Sequence, residues 1–196
     1  MNNTETILSY LESGRLLRRK WAEGPRGPDG YERACLLVAL APECAEDEDV
    51  SACTADVMPA WLAHLTPWMD DAGTEAAWPA MVRRYADLAG RWHVLDDAAW
   101  RRALLASLLA IVTEARSHAT GDEASACDTV IGLLREQAPA GDARWAAWAA
   151  RDAARDAAAD AAAWAERDAE AEAEAVDRIT AGILDAIEAE IRKAGA

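Results

Sequence analysis

A chain of 196 residues with a formal net charge of −15 has room for one domain, or a domain with an extension, and its field opposes nonspecific binding to DNA or anionic lipid. Hydrophobic types make up 52%, yet about a quarter of the chain is alanine, so leucine, isoleucine and nine tryptophans must carry the core in the absence of any phenylalanine. Cys35, Cys44, Cys53 and Cys127 are scattered without a CxxC and imply no disulfide framework, which fits reduced thiols in a cytoplasmic protein.

The N-terminal MNNTETILSYLESG lacks the basic-then-apolar layout of a signal peptide. Ile7, Leu8, Leu11, Leu16 and Leu17 predict a first helix from about Thr4, with Ser13-Gly14 as an interruption. Gly24-Pro25, Gly27-Pro28 and Gly30 read as a loop, and a second helix is expected over 31–40, ended by Pro42. Residues 43–56 are acidic and turn-rich around Glu46, Asp47, Glu48 and Asp49, which a solvated loop explains most simply. Pro59 suits the first turn of a short helix through Leu65, Pro67 starts another turn, and Thr74 resembles an N-cap before a helix over 79–88.

Asp96 has the place of an N-cap, and the apolar residues that follow occupy nearly every side of a helix over 97–117, predicting that this helix is central. Its most apolar run, 103–112, is too short to span a bilayer. Another helix is expected from Asp122 to Gln137, stopped by Pro139. From Asp142 no proline follows. Alanines at 146, 150, 153, 154, 157, 158, 161 and 165 share one face, opposite Arg151, Asp152, Arg155, Asp156 and Asp160, and Val176, Ile179, Ile183, Ile187 and Ile191 continue the alanine face. An unbroken helix from Asp142 would run about 75 Å, longer than a compact domain of this size can cover. It would protrude, bend or pair with a second copy through its alanine seam. Without a strand pattern the fold class is all-α: a multi-helix bundle over 1–141, and a long alanine-rich C-terminal helix over 142–196 packed on it or extending from it.

The stretch VMPAWLAHLTPWMDDAGTEAAWPAMVRRYADLAGRWHVLDDAAWRRA and the tail WAAWAARDAARDAAADAAAWAERDA, followed by DRITAGILDAIEAEI, resemble a group of uncharacterised alanine- and tryptophan-rich proteins of phages and prophages. The resemblance covers most of the chain and carries over no activity and no functional residue. What it implies is a small accessory protein that acts on a host component.

Three chemistries are weighed against simpler readings. Cys35 near a helix start could be a nucleophile with His64, His93 or His118 as base and Asp70 or Asp96 as orienter, but the spacing equally suits a buried thiol. Cys44, Cys53 and His64, or Asp70-Asp71 and Asp96-Asp97, are possible metal ligands whose spacing loops and caps also explain, so no metal or cofactor is assigned. Arg15, Arg18, Arg19 and Lys20 before Trp21, with Arg83, Arg84, Arg91, Arg101 and Arg102, suit neutralisation of the acidic segment or solvated helix faces better than direct nucleic-acid contact.

Between Ala34 and Val82 there is no lysine or arginine. That run points to an acidic surface, with Glu46, Asp47, Glu48, Asp49, Asp70 and Asp71 as partner-binding residues and Trp145 and Trp148 as anchors on the charged side of the last helix. The expected function is therefore a non-enzymatic interaction protein that binds and obstructs a host macromolecule, such as a basic nucleic-acid-binding or defence protein. The alternatives are a structural protein that oligomerises through the C-terminal helix and a cysteine-dependent hydrolase. A cleft joining Cys35 to a histidine would favour the last.

Overall fold

The computed structural model describes residues 3–27, 30–46, 48–53, 55–137 and 169–195. It is mostly helical, with helices α1 (Asn3–Glu12), α2 (Leu36–Leu40), α3 (Ala60–Ala72), α4 (Trp78–Arg91), α5 (Asp97–His118), α6 (Gly121–Gln137) and α7 (Ala169–Ala194). A two-stranded antiparallel hairpin, β1 (Ala22–Gly27) and β2 (Gly30–Ala34), precedes α2. The chain divides into two compact units, Met1–His93 and Val94–Ala196. This division falls ahead of α5, whereas the sequence reading places a boundary at 141/142; α7 belongs with α5 because the two pack together.

The hairpin corrects the expectation of a loop followed by a helix over 31–40. Its strands pair Ala22 with Ala34, Glu23 with Arg33 and Arg26 with Tyr31, and the register is irregular between Glu23 and Arg26. The irregularity coincides with Gly24, whose φ of +79° few other residues adopt. An ion pair of 2.7 Å between Arg33 and Glu23 joins the strands. Neither strand has a regular alternation of apolar and polar residues, which is why periodicity misses them. Only the LLVAL stretch becomes helical, as the single-turn α2, and four of its five residues are buried.

In the first unit α1 ends at Ser13-Gly14, where Gly14 takes a φ of +67°. Ile7 of α1, Leu36 and Leu37 of α2, Leu62 and Met69 of α3, and Tyr85 and Leu88 of α4 form the centre of the core. Tyr85 buries its ring edge-on to Trp92 at 5.5 Å and satisfies its hydroxyl against Thr66 Oγ1 at 2.8 Å. Thr4 Oγ1 donates to the Ala86 carbonyl at 2.8 Å and locks α1 onto α4. Pro59 stands just before α3 rather than inside it, and α3 continues through Pro67 to Ala72 instead of restarting there. Thr74 accepts a bond from the Ala77 N–H at 3.2 Å in the turn leading into α4.

The second unit follows the periodic signal closely. Asp96 caps α5, its carboxylate accepting from the Ala99 N–H at 2.7 Å. Both α6 and α7 pack on α5, which explains an apolar surface reaching most of the way round it. Leu108 and Val112 meet Ile131 and Leu134 of α6, with half-buried Leu104, Leu105 and Leu109 against them. Against α7, Arg102 pairs with Glu190 at 2.8 Å, a Cβ at Gly182 would lie 2.7 Å from that of Ala110, and Glu114 pairs with Arg178 at 2.7 Å. The residue numbers rise on α5 as they fall on α7, so these helices are antiparallel. Val176, Ile183, Ile187 and Ile191 are buried along α7. The alanine stripe of 146–165 and the continuity of a helix from Asp142 lie outside the described residues.

Candidate functional site

The chain leaving α1 supplies the first part of the candidate site. Residues 15–17 lie against β2 through backbone bonds between Leu17 N–H and Ala34 O (2.8 Å) and between Ala34 N–H and Arg15 O (3.1 Å). That placement delivers Arg18 to the end of α3, where its guanidinium donates to the carbonyls of Asp70 (2.7 Å), Asp71 (3.0 Å) and Gly73 (2.7 Å). These are carbonyls that a helix end leaves without partners, and a charged donor offsets their partial negative charge. The same guanidinium lies 5.7 Å from the ring centroid of Trp78.

Beneath Arg18 is Asp70, fully buried. One carboxylate oxygen accepts from Trp78 Nε1 at 2.7 Å and the other from the Leu36 N–H at 3.0 Å. Burial pushes its pKa up to about 6, against the pull of these two bonds and of Arg18. One side chain thus ties the start of α2, the end of α3 and the start of α4. This removes Asp70 from the acidic contact surface expected from sequence: its carboxylate is enclosed and committed to internal donors. Asp71 is half-buried and accepts from the Arg19 N–H, and that bond helps hold Arg19 at a φ of +62°.

Arg19, Lys20, Trp21, Cys35, Pro67 and Asp71 line a cleft of about 270 Å³ in this unit. The Cys35 thiol in its wall is pushed up to about 11, first by burial and further by the charges of Asp70 and Asp71. At neutral pH it is a protonated thiol rather than a nucleophile. No histidine lines the cleft. His64 is exposed on α3, His93 lies 3.2 Å from the Gly90 carbonyl, and His118, in the other unit, lies 2.9 Å from Glu114. The arrangement required for the cysteine-hydrolase alternative is therefore not assembled on this cleft.

The acidic segment is built on buried supports. Cys44, in a 3-10 turn over Pro42–Ala45, and Cys53, after a 3-10 turn over Val50–Ala52, both face the interior, while Glu46, Glu48, Asp49 and Asp56 are exposed. Asp49 accepts from the Ser51 N–H at 2.8 Å, and hydrogen bonds to Ser51 hold its pKa below the ordinary carboxylate value. Glu48 turns the chain at a φ of +52°. Glu46 forms an ion pair with Arg26 of β1, which is not among the basic residues expected from sequence to neutralise this segment. Asp47, Trp145 and Trp148 lie outside the described residues.

Most of the basic residues named from sequence have partners inside their own unit. Arg15 donates to the Glu32 and Tyr31 carbonyls and stacks 4.2 Å from the Tyr10 centroid, Lys20 pairs with Glu23, Arg91 pairs with Asp87, and Arg102 pairs with Glu190. Among the described residues no three potential ligands from His, Cys, Asp and Glu gather as a metal site, and no helix is long and apolar enough to cross a membrane. Sequence reasoning missed the Arg18–Asp70–Trp78 arrangement; its one signal is an arginine and a tryptophan flanking an Asp-Asp pair, with nothing to show that they meet. No protein-family model, curated protein or solved structure matches the chain.

Proposed function

We propose that this is a non-enzymatic, acidic interaction protein that binds a basic macromolecule, in keeping with a phage or prophage accessory protein obstructing a basic nucleic-acid-binding or defence protein of its host. The observation that carries the reading is the exposed set Glu46, Glu48 and Asp49, held on a segment whose ends are fastened in the core by Cys44 and Cys53, with exposed Asp56 just beyond it. The 35–81 stretch contains no lysine or arginine, although Arg26 of β1 pairs with Glu46. Carboxylates fixed on a supported loop present a negative surface at little ordering cost, and such surfaces accelerate encounter with positive ones. Asp71 is a peripheral contributor at most, since its carboxylate is engaged by Arg19.

The test compares capture of host proteins by the native chain and by the variant Glu46→Gln, Asp47→Asn, Glu48→Gln, Asp49→Asn, at low and high salt. The expected result is a basic protein retained by the native chain, lost from the variant and released by salt. Equal retention by both chains at every salt concentration, or the absence of any basic protein among those retained, overturns the reading.

A further inference from the structure

The segment that carries Glu46 to Asp49 begins and ends at two buried, neighbouring thiols. Cys44 is fully buried and Cys53 is 8% exposed, and their side chains are hydrogen-bonded to each other. Backbone bonds brace the approach from both sides: Asp49 N–H to Cys44 O at 3.1 Å and Cys53 N–H to Val50 O at 3.1 Å. The loop between them is short and already closed by these contacts, so a covalent link would add little ordering to the folded chain while removing freedom from the unfolded one. Eight intervening residues separate the two cysteines and carry Glu46, Asp47, Glu48 and Asp49.

We propose that Cys44 and Cys53 form a reversible dithiol–disulfide couple that staples the base of the acidic segment, with a low-molecular-weight disulfide as oxidant. The inference stands whether or not that segment binds a partner. Cys53 is the attacking thiol, because it is the more exposed of the two and because the Cys44 S–H donates toward its sulfur, favouring the thiolate there. Cys44 is the resolving thiol; burial, followed by the neighbouring Cys53, holds it protonated until the second step.

Cys53 gives its proton to solvent and its thiolate attacks one sulfur of the small disulfide; a bond forms between them and one small thiolate leaves, taking up a proton. Cys44 then loses its proton and attacks the Cys53 sulfur, forming the Cys44–Cys53 bond and expelling the second small thiolate. The protein dithiol loses two electrons and two protons, and the small disulfide becomes two thiols. Both protein thiols are raised by burial, so the reaction should quicken as pH rises.

The experiment incubates the folded, full-length protein with oxidised glutathione near pH 8, then alkylates the remaining thiols and maps the products by mass spectrometry. Cleavage at Glu46 and Glu48 separates the two cysteines, so a linked peptide pair reports their bond directly. The expected result is loss of two of the four alkylatable thiols, a Cys44–Cys53 linked pair, unchanged helical circular dichroism, and recovery of both thiols with reduced glutathione. In Cys44→Ser the mixed disulfide should accumulate on Cys53, whereas Cys53→Ser should leave Cys44 at least tenfold less reactive. Pairing of either residue with Cys35, stable mixed disulfides in the native chain, or a bond formed only in urea would each overturn the proposal.

Discussion

The two compact units solve the same problem by different means. In Val94–Ala196, long helices bury apolar stripes against one another, and the ion pairs Arg102–Glu190 and Glu114–Arg178 fasten α7 to α5 toward opposite ends of the contact. In Met1–His93 the elements are short, α2 is a single turn, and side chains bonded to distant backbone groups join them: Arg18 to the end of α3, Asp70 to the start of α2, Thr4 to α4. The lesson is that periodic burial suffices where helices are long. Where they are short, a few polar side chains with several partners each must supply the order that burial leaves undetermined. The candidate site and the thiol pair both lie in the unit organised in the second way.

The largest expected effect tests the periodic unit. Leu108→Ala removes a fully packed side chain between α5 and α6 and should cost about 2–5 kcal/mol in urea unfolding. A loss below about 1 kcal/mol would mean that α5 is not the centre of its unit.

A pH series sets Asp70 of the first unit against Glu114 and Glu190 of the second by sign. Asp70 titrates near 6 when folded, above the ordinary value of 3.8, so the folded chain holds its proton more tightly. Its contribution is therefore full at low pH and is lost as pH rises between those values, on the order of 2–3 kcal/mol. Glu114 and Glu190 of the other unit are shifted the opposite way. The hydrogen bond from Arg178 lowers Glu114, and at Glu190 the bonds from Lys193 and Arg102 outweigh the upward push of burial. Their contributions are lost as pH falls below the ordinary carboxylate range. Asp70→Asn should remove the dependence between pH 4 and 6 while leaving the acid limb in place; a native-like slope in that variant would assign the dependence to another group.

The two helix-crossing glycines offer a finer contrast. At Gly182 an added Cβ would meet the Cβ of Ala110 at 2.7 Å, and neither atom can rotate away, so α7 must shift from α5. Gly182→Ala should thus destabilise by about 1–3 kcal/mol, in spite of alanine's better helix propensity. Thermal unfolding that shows a gain would disprove the close approach.

At Gly90 the added Cβ would collide with Thr4 Oγ1 and lie 3.3 Å from Thr4 Cβ; the hydroxyl can turn aside at the expense of its bond to Ala86, and Thr4 Cβ need give only a few tenths of an ångström. The loss of one hydrogen bond is then roughly matched by the propensity gain, and Gly90→Ala should change stability by less than about 1 kcal/mol. A larger loss would place the α1–α4 contact among the rigid ones.

Sequence by itself determined whatever depends on neighbours within one helical turn or two. The mostly helical fold, Asp96 as a cap, the central place of α5 within its own unit and the buried stripe of α7 all follow from spacing and capping, because burial of a long helix face depends on periodicity. Only the tertiary structure decided the rest. Cys35 was placed on a cleft without histidine, and an unpatterned stretch paired as a hairpin. Gly182 became a point where α7 and α5 approach tightly, against Ala110, which nothing in the local pattern marks. Asp70 and Asp71 look alike in sequence, yet one is sealed in the core, its carboxylate bonded by donors 34 and 8 residues away, and the other is half-exposed at a cleft. The physical reason is that a charge's surroundings, and hence its pKa and its availability to a partner, are set by which distant groups the fold brings to it, and no local pattern encodes them.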